Sequence, residues 1–233
     1  MCGIAGGIGP SAPSVQSLEA QLTKLEHRGP DDRGTYVNQS IALGMCRLAI
    51  VEIAAGKQPF ESADGKIKIV FNGEIYNYRE LREKLVSLGH VFSGASESEV
   101  IIALYRQHGP DFPNHLIGMF AIALFDQAND ALVLVRDRVG KKPLWFSKCA
   151  DGSILFASEV KALLAGLPTR TLRKGAVAEV IQFGYVNSPN SAFAEIRQLP
   201  PATMAIWHKG DWSMRTYWQP DYETEIKISY EDA

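Results

Sequence analysis

With 233 residues, 46% hydrophobic and 21% charged, the chain has room for one large domain or two small ones and the composition of an ordinary soluble globular protein. A net charge of −2 with interspersed signs excludes an electrostatic footprint for nucleic acid or an acidic membrane. Three widely spaced cysteines, Cys2, Cys46 and Cys149, with no CxxC pair, exclude a disulfide framework and a zinc site and fit a reducing cytoplasm.

The chain opens Met1-Cys2-Gly3-Ile4-Ala5-Gly6-Gly7, with no basic-then-apolar leader, and no apolar run approaches the length of a membrane span. Residues 2–8 read as a short apolar strand with Cys2 at its mouth. Val15, Leu18, Leu22 and Leu25 make a helical stripe over Val15–Leu25. Residues 41–51 and 67–71 are strand-like. Tyr78–Leu88 and Glu97–His108 have the spacing of amphipathic helices. Strand candidates then follow closely at Met119–Phe125, Ala131–Val135, Leu144–Ser147 and Ile154–Ala157, separated by the turn signals Asn129-Asp130, Gly140 and Asp151-Gly152. Spacing this short points to antiparallel pairing, since a parallel crossover needs a dozen or more residues. Met119–Phe125 and Ala131–Val135 are apolar on both faces, which two stacked sheets between helix layers would explain. Lys174–Phe183 reads as a helix, Pro189-Asn190 as a loop, and the polar tail Asp221–Ala233 as a linker.

Cys2 is the first candidate for chemistry. Removal of Met1 would put a thiol and a free α-amine on one residue. An α-amine has a pKa of roughly 7.7–8.0, so it is partly neutral near pH 7 and can take the thiol's proton. The other reading is a retained Met1 and a small buried cysteine at a strand's start. Asn72-Gly73-Glu74 follows the apolar run Ile67–Phe71 and so sits at a strand's end. Asn-Gly is the commonest hairpin turn, yet an Asn amide plus the next backbone N–H also suits a developing oxyanion. Arg47, in the apolar Cys46-Arg47-Leu48-Ala49-Ile50, could hold an amino acid's α-carboxylate bidentately or be a surface strand end. In Ser96-Glu97-Ser98-Glu99, Ser96 and Glu99 make a capping box. Glu97 lies outside that box and, like Glu74, could meet a ligand's ammonium. Cys46 and Cys149 read as small hydrophobes, the Arg136–Lys142 charges as a solvated strand end and turn, and the five His residues show no metal-ligand spacing.

In order along the chain, the motifs are Cys2-Gly3-Ile4-Ala5-Gly6, His27-Arg28-Gly29-Pro30-Asp31, Arg47-Leu48-Ala49-Ile50-Val51, Gln58-Pro59 and Asn72-Gly73-Glu74-Ile75-Tyr76-Asn77. They continue with Arg136-Asp137-Arg138-Val139-Gly140-Lys141-Lys142-Pro143-Leu144, Phe156–Leu163 and Leu199-Pro200-Pro201. This set resembles the class II glutamine amidotransferases, a family of N-terminal-nucleophile hydrolases, over nearly the whole chain up to about Trp218. Within the family it is most similar to the glutaminase domain of asparagine synthetase. The resemblance implies an α+β fold, a four-layer αββα sandwich of two mainly antiparallel sheets. It implies Cys2 as nucleophile with its α-amine as base, and Asn72 and the Gly73 N–H as the oxyanion hole. Arg47 would take the glutamine α-carboxylate, Glu74 and Glu97 its α-ammonium, and backbone groups of Leu48, Ala49, Ile50 and Val51 would line the ligand.

The implied function is hydrolysis of L-glutamine to glutamate and ammonia, with the ammonia passed to an asparagine-synthetase-type, ATP-dependent amidation of aspartate. No cofactor and no metal are expected for this domain; ATP and magnesium belong to a synthetase domain or subunit, the expected partner, and a homodimer is expected of the full-length enzyme. Residues 1–218 are expected to form the glutamine amidotransferase domain and residues 219–233 a linker toward a synthetase domain that this chain does not contain, in a cytoplasmic protein without nucleic-acid or membrane partners. The sequence has neither a Ser-Gly-Gly-x-Asp-Ser loop nor GxxxxGK[ST]. Glu97 departs from the family's usual Ser-Asp-Thr-Glu by one methylene, a change in reach at a position where about 1 Å can cost a hundredfold in rate. The alternatives are a glutaminase domain serving another acceptor and a non-catalytic scaffold or docking domain. An unrelated hydrolase finds no support, since the sequence has no GxSxG elbow.

Overall fold

The computed structural model describes residues 1–11, 14–49 and 57–222. Its strands are β1 (Gly3–Ile8), β2 (Asp32–Val37), β3 (Ile41–Arg47), β4 (Phe60–Glu61), β5 (Ile67–Ile75), β6 (Gly118–Asp126), β7 (Ala131–Arg136), β8 (Trp145–Lys148), β9 (Ile154–Ala157), β10 (Arg197–Gln198), β11 (Thr203–His208) and β12 (Asp211–Thr216). The α-helices are α1 (Val15–Thr23), α2 (Tyr78–Ser87), α3 (Glu97–His108), α4 (Val160–Gly166) and α5 (Ala176–Phe183). The strands form two six-stranded sheets, ordered β10-β8-β9-β1-β3-β2 and β12-β11-β7-β6-β5-β4. Every pairing among the described residues is antiparallel.

Two-sided apolar strands follow from the layering. On β6, Ala121, Ala123 and Phe125 face the other sheet and meet Ile4, Ile8, Leu43 and Met45. Phe120, Ile122 and Leu124 on its opposite face pack under Leu81 and Leu85 of α2 and Val100, Ile101 and Leu104 of α3. Beyond the first sheet, Ala5, Ala42 and Cys46 pack against Leu18 and Leu22 of α1 and Ala162 and Leu163 of α4. The result is the αββα sandwich, with a buried Phe, Leu or Ile contributing about 1.5–3 kcal/mol in each layer. Cys46 behaves as a small hydrophobe: its thiol meets the Leu22 carbonyl, and burial pushes its pKa up to about 11. Burial also raises the Cys149 thiol.

Several local expectations are corrected. β5 continues through Asn72-Gly73-Glu74 to Ile75 in unbroken register with β6, so Asn-Gly is inside a strand and makes no turn. Ser96 caps α3 through Ser98 N–H at 3.2 Å, but Glu99 does not close a capping box. Its carboxylate takes the Ser93 and Gly94 N–H groups at 3.0 and 2.9 Å, stitching the preceding loop to the helix. The Arg136–Lys142 segment is only partly solvated: Val139 and Lys141 at the turn are exposed, whereas Arg136, Asp137 and Lys142 are 6%, 0% and 7% exposed. Arg136 donates to the carbonyls of Lys142, Leu199 and Gly140, and Asp137 accepts the N–H groups of Val139, Lys141 and Lys142, so the loop folds inward around its own charges. Of the expected linker, only residues up to Tyr222 are described.

Candidate active site

Strand alternation brings the candidate residues together. In the first sheet, Ile4 and Met45 face the gap between the sheets. With a side-chain period of two, Cys2 and Arg47 face it as well, and the Gly3–Cys46 register puts them opposite each other at the strand ends. In the second sheet Val70 faces the gap, so Asn72 and Glu74 follow it. The two pairs meet at one end of the sandwich, in a cleft of about 340 Å³ whose walls include Cys2, Arg47, Leu48, Asn72, Gly73, Glu74 and Glu97. Ala49 is not on that wall; its N–H is held by Asp31 Oδ2 at 2.8 Å. Ile50 and Val51 lie outside the described residues.

The segment carrying Cys2 is clamped by Arg28 and by Ser158. Arg28 Nε donates to the Cys2 carbonyl at 3.0 Å, and Arg28 Nη1 to Glu159 Oε1 at 2.8 Å. Ser158 exchanges two bonds with Ile4: the Ile4 N–H donates to Ser158 Oγ, and the Ser158 N–H to the Ile4 carbonyl. Burial pushes the Glu159 carboxyl up, but hydrogen bonds from Arg28, His27 and Lys161 outweigh it and hold the group below its ordinary range. Gly29 rests on β3 so closely that a Cβ there would lie 2.4 Å from the Cys46 carbonyl oxygen. Arg28, Ser158 and Glu159 were assigned no role from the sequence; their only signal was membership of two ordered motifs. Met1 is present and exposed, and while it remains the Cys2 nitrogen is an amide.

Opposite Cys2 lies the outer edge of β5. Tyr76 N–H reaches Ile117 O on the β6 side, whereas Phe71 N–H donates to Gln58 Oε1 at 2.6 Å and Ile75 N–H to Glu97 Oε1 at 2.8 Å on the other side. Alternation therefore sends the Gly73 N–H to that same outer edge, between Gln58 and Glu97. A side chain at 73 would put its Cβ 2.2 Å from the Met119 carbonyl oxygen, so glycine is required by the approach of β6. Asn72 is 2% exposed, and its Nδ2 has no hydrogen-bond partner among the described residues. A buried donor left unpaired costs about 1–3 kcal/mol, which a ligand oxygen would recover. Arg47 is 8% exposed, not a surface residue, while Glu97 is half-buried and Glu74 exposed. Lys142 also lines the cleft, although the sequence places it in a solvated turn. Among the described residues no group of three or more His, Cys, Asp or Glu is placed to hold a metal ion, and no helix is long and apolar enough to cross a membrane.

Residues 1–218 match the sequence profile of the family described as the glutamine amidotransferase domain. "Asparagine synthetase [glutamine-hydrolyzing] 2" of Bacillus subtilis (strain 168) is 39% identical over 170 residues, 71% of this chain and 22% of that protein. "Asparagine synthetase [glutamine-hydrolyzing] 3" of the same organism is 33% identical across 100% of this chain and 39% of its own length. The chain thus spans 22% and 39% of these two relatives. Among solved structures, glutamine phosphoribosylpyrophosphate amidotransferase from B. subtilis, complexed with ADP and GMP, superposes with a TM-score of 0.66 over 94% of this chain and 50% of that one. At 20% identity that likeness carries the fold alone.

Proposed function

We propose a function for this chain from one premise: it belongs to the glutamine amidotransferase domain family. The reaction is hydrolysis of L-glutamine by Cys2 after removal of Met1, and the ammonia passes to a synthetase domain or subunit. The observation that carries this reading is the meeting of Cys2, from one sheet, with the unpaired Asn72 amide and the outward Gly73 N–H of the other.

The freed α-amine takes the thiol proton, and the thiolate attacks the side-chain amide carbon of glutamine. The carbonyl electrons move onto oxygen, where Asn72 Nδ2 and Gly73 N–H meet the charge. Collapse of the tetrahedral adduct breaks the C–N bond, and the α-ammonium returns its proton to the leaving nitrogen, releasing ammonia. Water then adds to the γ-glutamyl thioester, giving its proton to the amine, and expulsion of the thiolate leaves glutamate. Arg47 is the proposed partner of the α-carboxylate, Glu74 and Glu97 of the α-ammonium, and backbone groups of Leu48 to Val51 complete the ligand's enclosure.

No cofactor enters these steps. Similarity to the asparagine synthetases supports aspartate as the acceptor, with ATP and magnesium on the synthetase partner and the cytoplasm as the site of action. The test is glutamate release from L-glutamine by the purified chain, beside Cys2→Ala and with intact mass to establish the state of Met1. Release by the processed native chain and none by the variant supports the thiol mechanism. Equal release by both overturns it.

A further inference from the structure

We infer that Lys142 meets the oxygen at the reacting carbon: first the oxyanion of the tetrahedral adduct, then the γ-carboxylate of the product glutamate. This rests on the glutaminase reading and adds to its oxyanion hole a charged third donor.

The placement follows from one carboxylate. Asp137 Oδ2 accepts the Lys142 N–H at 2.9 Å and the Phe120 N–H at 3.2 Å. Phe120 is the register partner of Gly73 on the neighbouring strand. Lys142 is thereby tethered one strand away from the proposed oxyanion donors, and its side chain lines the same cleft as Cys2 and Asn72. Arg47, Glu74 and Glu97 are already assigned to the amino-acid end of glutamine, so Lys142 is the cation left for the amide end.

Among the described residues its charge has no carboxylate partner. Lys142 is 7% exposed, yet among the described residues no carboxylate lies within 4.0 Å of its ammonium and no acceptor takes its protons. Other buried cations are differently provided. Lys68 pairs with Glu61 at 3.2 Å and also donates to the Gly65 carbonyl. Arg136, at the other end of the same loop, spends its guanidinium on three carbonyls. An ammonium that faces a cleft from a largely buried residue, with no counter-charge beside it, gains when an anion enters. Glutamine brings one negative group, its α-carboxylate, for which Arg47 supplies the planar fork. The second negative charge arises only during reaction, on the oxygen at the side-chain carbonyl carbon, and it persists in the product as the γ-carboxylate.

The experiment compares the native chain with Lys142→Met, which keeps the stem and removes the charge, and with Lys142→Arg. Steady-state glutaminase kinetics and inhibition by added L-glutamate are measured on all three. A donor that acts on the oxyanion contributes to kcat, so Lys142→Met should lose about 10- to 100-fold in kcat with KM for glutamine changed by less than about twofold. Inhibition by glutamate should weaken by about tenfold or more, and Lys142→Arg should restore part of both. A rise in KM with kcat unchanged would assign Lys142 to the α-carboxylate and overturn the inference, as would native values of kcat and glutamate inhibition. A loss of kcat with native glutamate inhibition would reduce the residue to structural support and likewise overturn it. Lys142→Gln carries the same comparison if the Met variant does not fold. An inactive native chain, with Met1 shown by mass to be removed, fails the glutaminase reading instead, so the two failures are distinct.

Discussion

Opposite ends of the second sheet carry two polar hollows, and the larger is the less equipped for chemistry. The groove at the start of β5 and end of β6, about 750 Å³, is lined by Asp64, Tyr105, Arg106, Asp126 and Asn129. Its central polar groups pair with one another: Arg106 with Asp64 at 2.6 Å, while Asp126 accepts from Tyr105 Oη at 3.0 Å and Asn129 Nδ2 at 2.7 Å. Burial and the Asp126 carboxylate together push the Tyr105 hydroxyl well above its ordinary range. At the other end, the cleft of about 340 Å³ leaves the buried Asn72 amide without a partner, and among the described residues no carboxylate pairs with Lys142 on its wall. Closed networks hold a fold together, whereas unpaired donors are held ready for something that comes and goes. Volume does not separate the two; satisfaction of the polar groups does.

Substitution at each end should therefore give opposite results. Removing one oxyanion donor, the role proposed for Asn72, typically costs about 10²–10³ in kcat, so Asn72→Ala should lose that much glutaminase activity. Because its Nδ2 has no partner to strand, the same variant should keep the native Tm. Asp126→Ala strands Tyr105 Oη, the N–H groups of Ala128 and Asn129, and Asn129 Nδ2, and should cost about 1–3 kcal/mol by urea unfolding while leaving kcat intact. A stable, active Asn72→Ala would erase the distinction. So would an inactive Asp126→Ala that is fully folded at the assay temperature.

Gly73 joins the two properties, because its N–H faces the cleft while its Cα is pressed on β6. A methyl there would lie 2.2 Å from the Met119 carbonyl oxygen and 2.7 Å from Phe120 Cα, backbone atoms that cannot yield as a side-chain end does. Gly73→Ala should lower stability by about 1–3 kcal/mol, the usual cost of overpacking, and activity with it. Thermal melts beside the kinetics test this; a native Tm with lost activity would show that only the donor matters.

Alternation and two-sided apolarity made most of this architecture legible in the sequence. MFAIALF declared a strand buried between a sheet and a helix layer, and the helices at 78–87 and 97–108 were evident from their spacing. What escaped was polar, short or long-range. β2 and β12 are edge strands with exposed or half-buried side chains and too few apolar residues to make a run, and α4 has seven residues, too few for a periodic signal. Asn72-Gly73 suggested a turn because local propensity cannot see β6 pairing with both residues. Cys2, Arg47 and Asn72 stood out as polar or reactive groups in apolar strands. Lys142 and the Arg28–Glu159 clamp did not, since their meaning comes from contacts spanning about half the chain or from a loop that folds inward.

Glu97 tests how far the cleft's own groups divide between support and binding. Its Oε1 takes the Ile75 N–H, one position beyond Glu74. Glu97→Gln keeps an acceptor for that N–H but removes the charge proposed to meet the α-ammonium. Hydrogen bonds to charged groups are worth about 1.5–3 kcal/mol, so KM for glutamine should rise by roughly tenfold or more with little change in Tm. A fall in Tm with unchanged KM would make Glu97 a strut for β5 alone.

Weakest of all should be the effect of the Glu159 clamp on stability, and its sign is fixed by the direction of the pKa shift. The folded carboxyl is held below its ordinary 4.5: burial raises it, and the bonds from Arg28, His27 and Lys161 lower it by more. A depressed carboxylate stabilises the fold above its unfolded value and loses that contribution as pH falls through the folded one. The native chain should thus exceed Glu159→Gln in stability near pH 7, with the gap closing below about pH 4.5. Its size should stay under about 1 kcal/mol, because the His27 and Lys161 side chains are 52% and 51% exposed and solvent screens them. Urea midpoints near pH 7 and pH 3.5 check the closing of the gap. A constant gap would mean that Glu159 acts through packing rather than charge. The same variant should lower glutaminase activity more than stability, since Arg28 would then hold the Cys2 carbonyl with one anchor fewer.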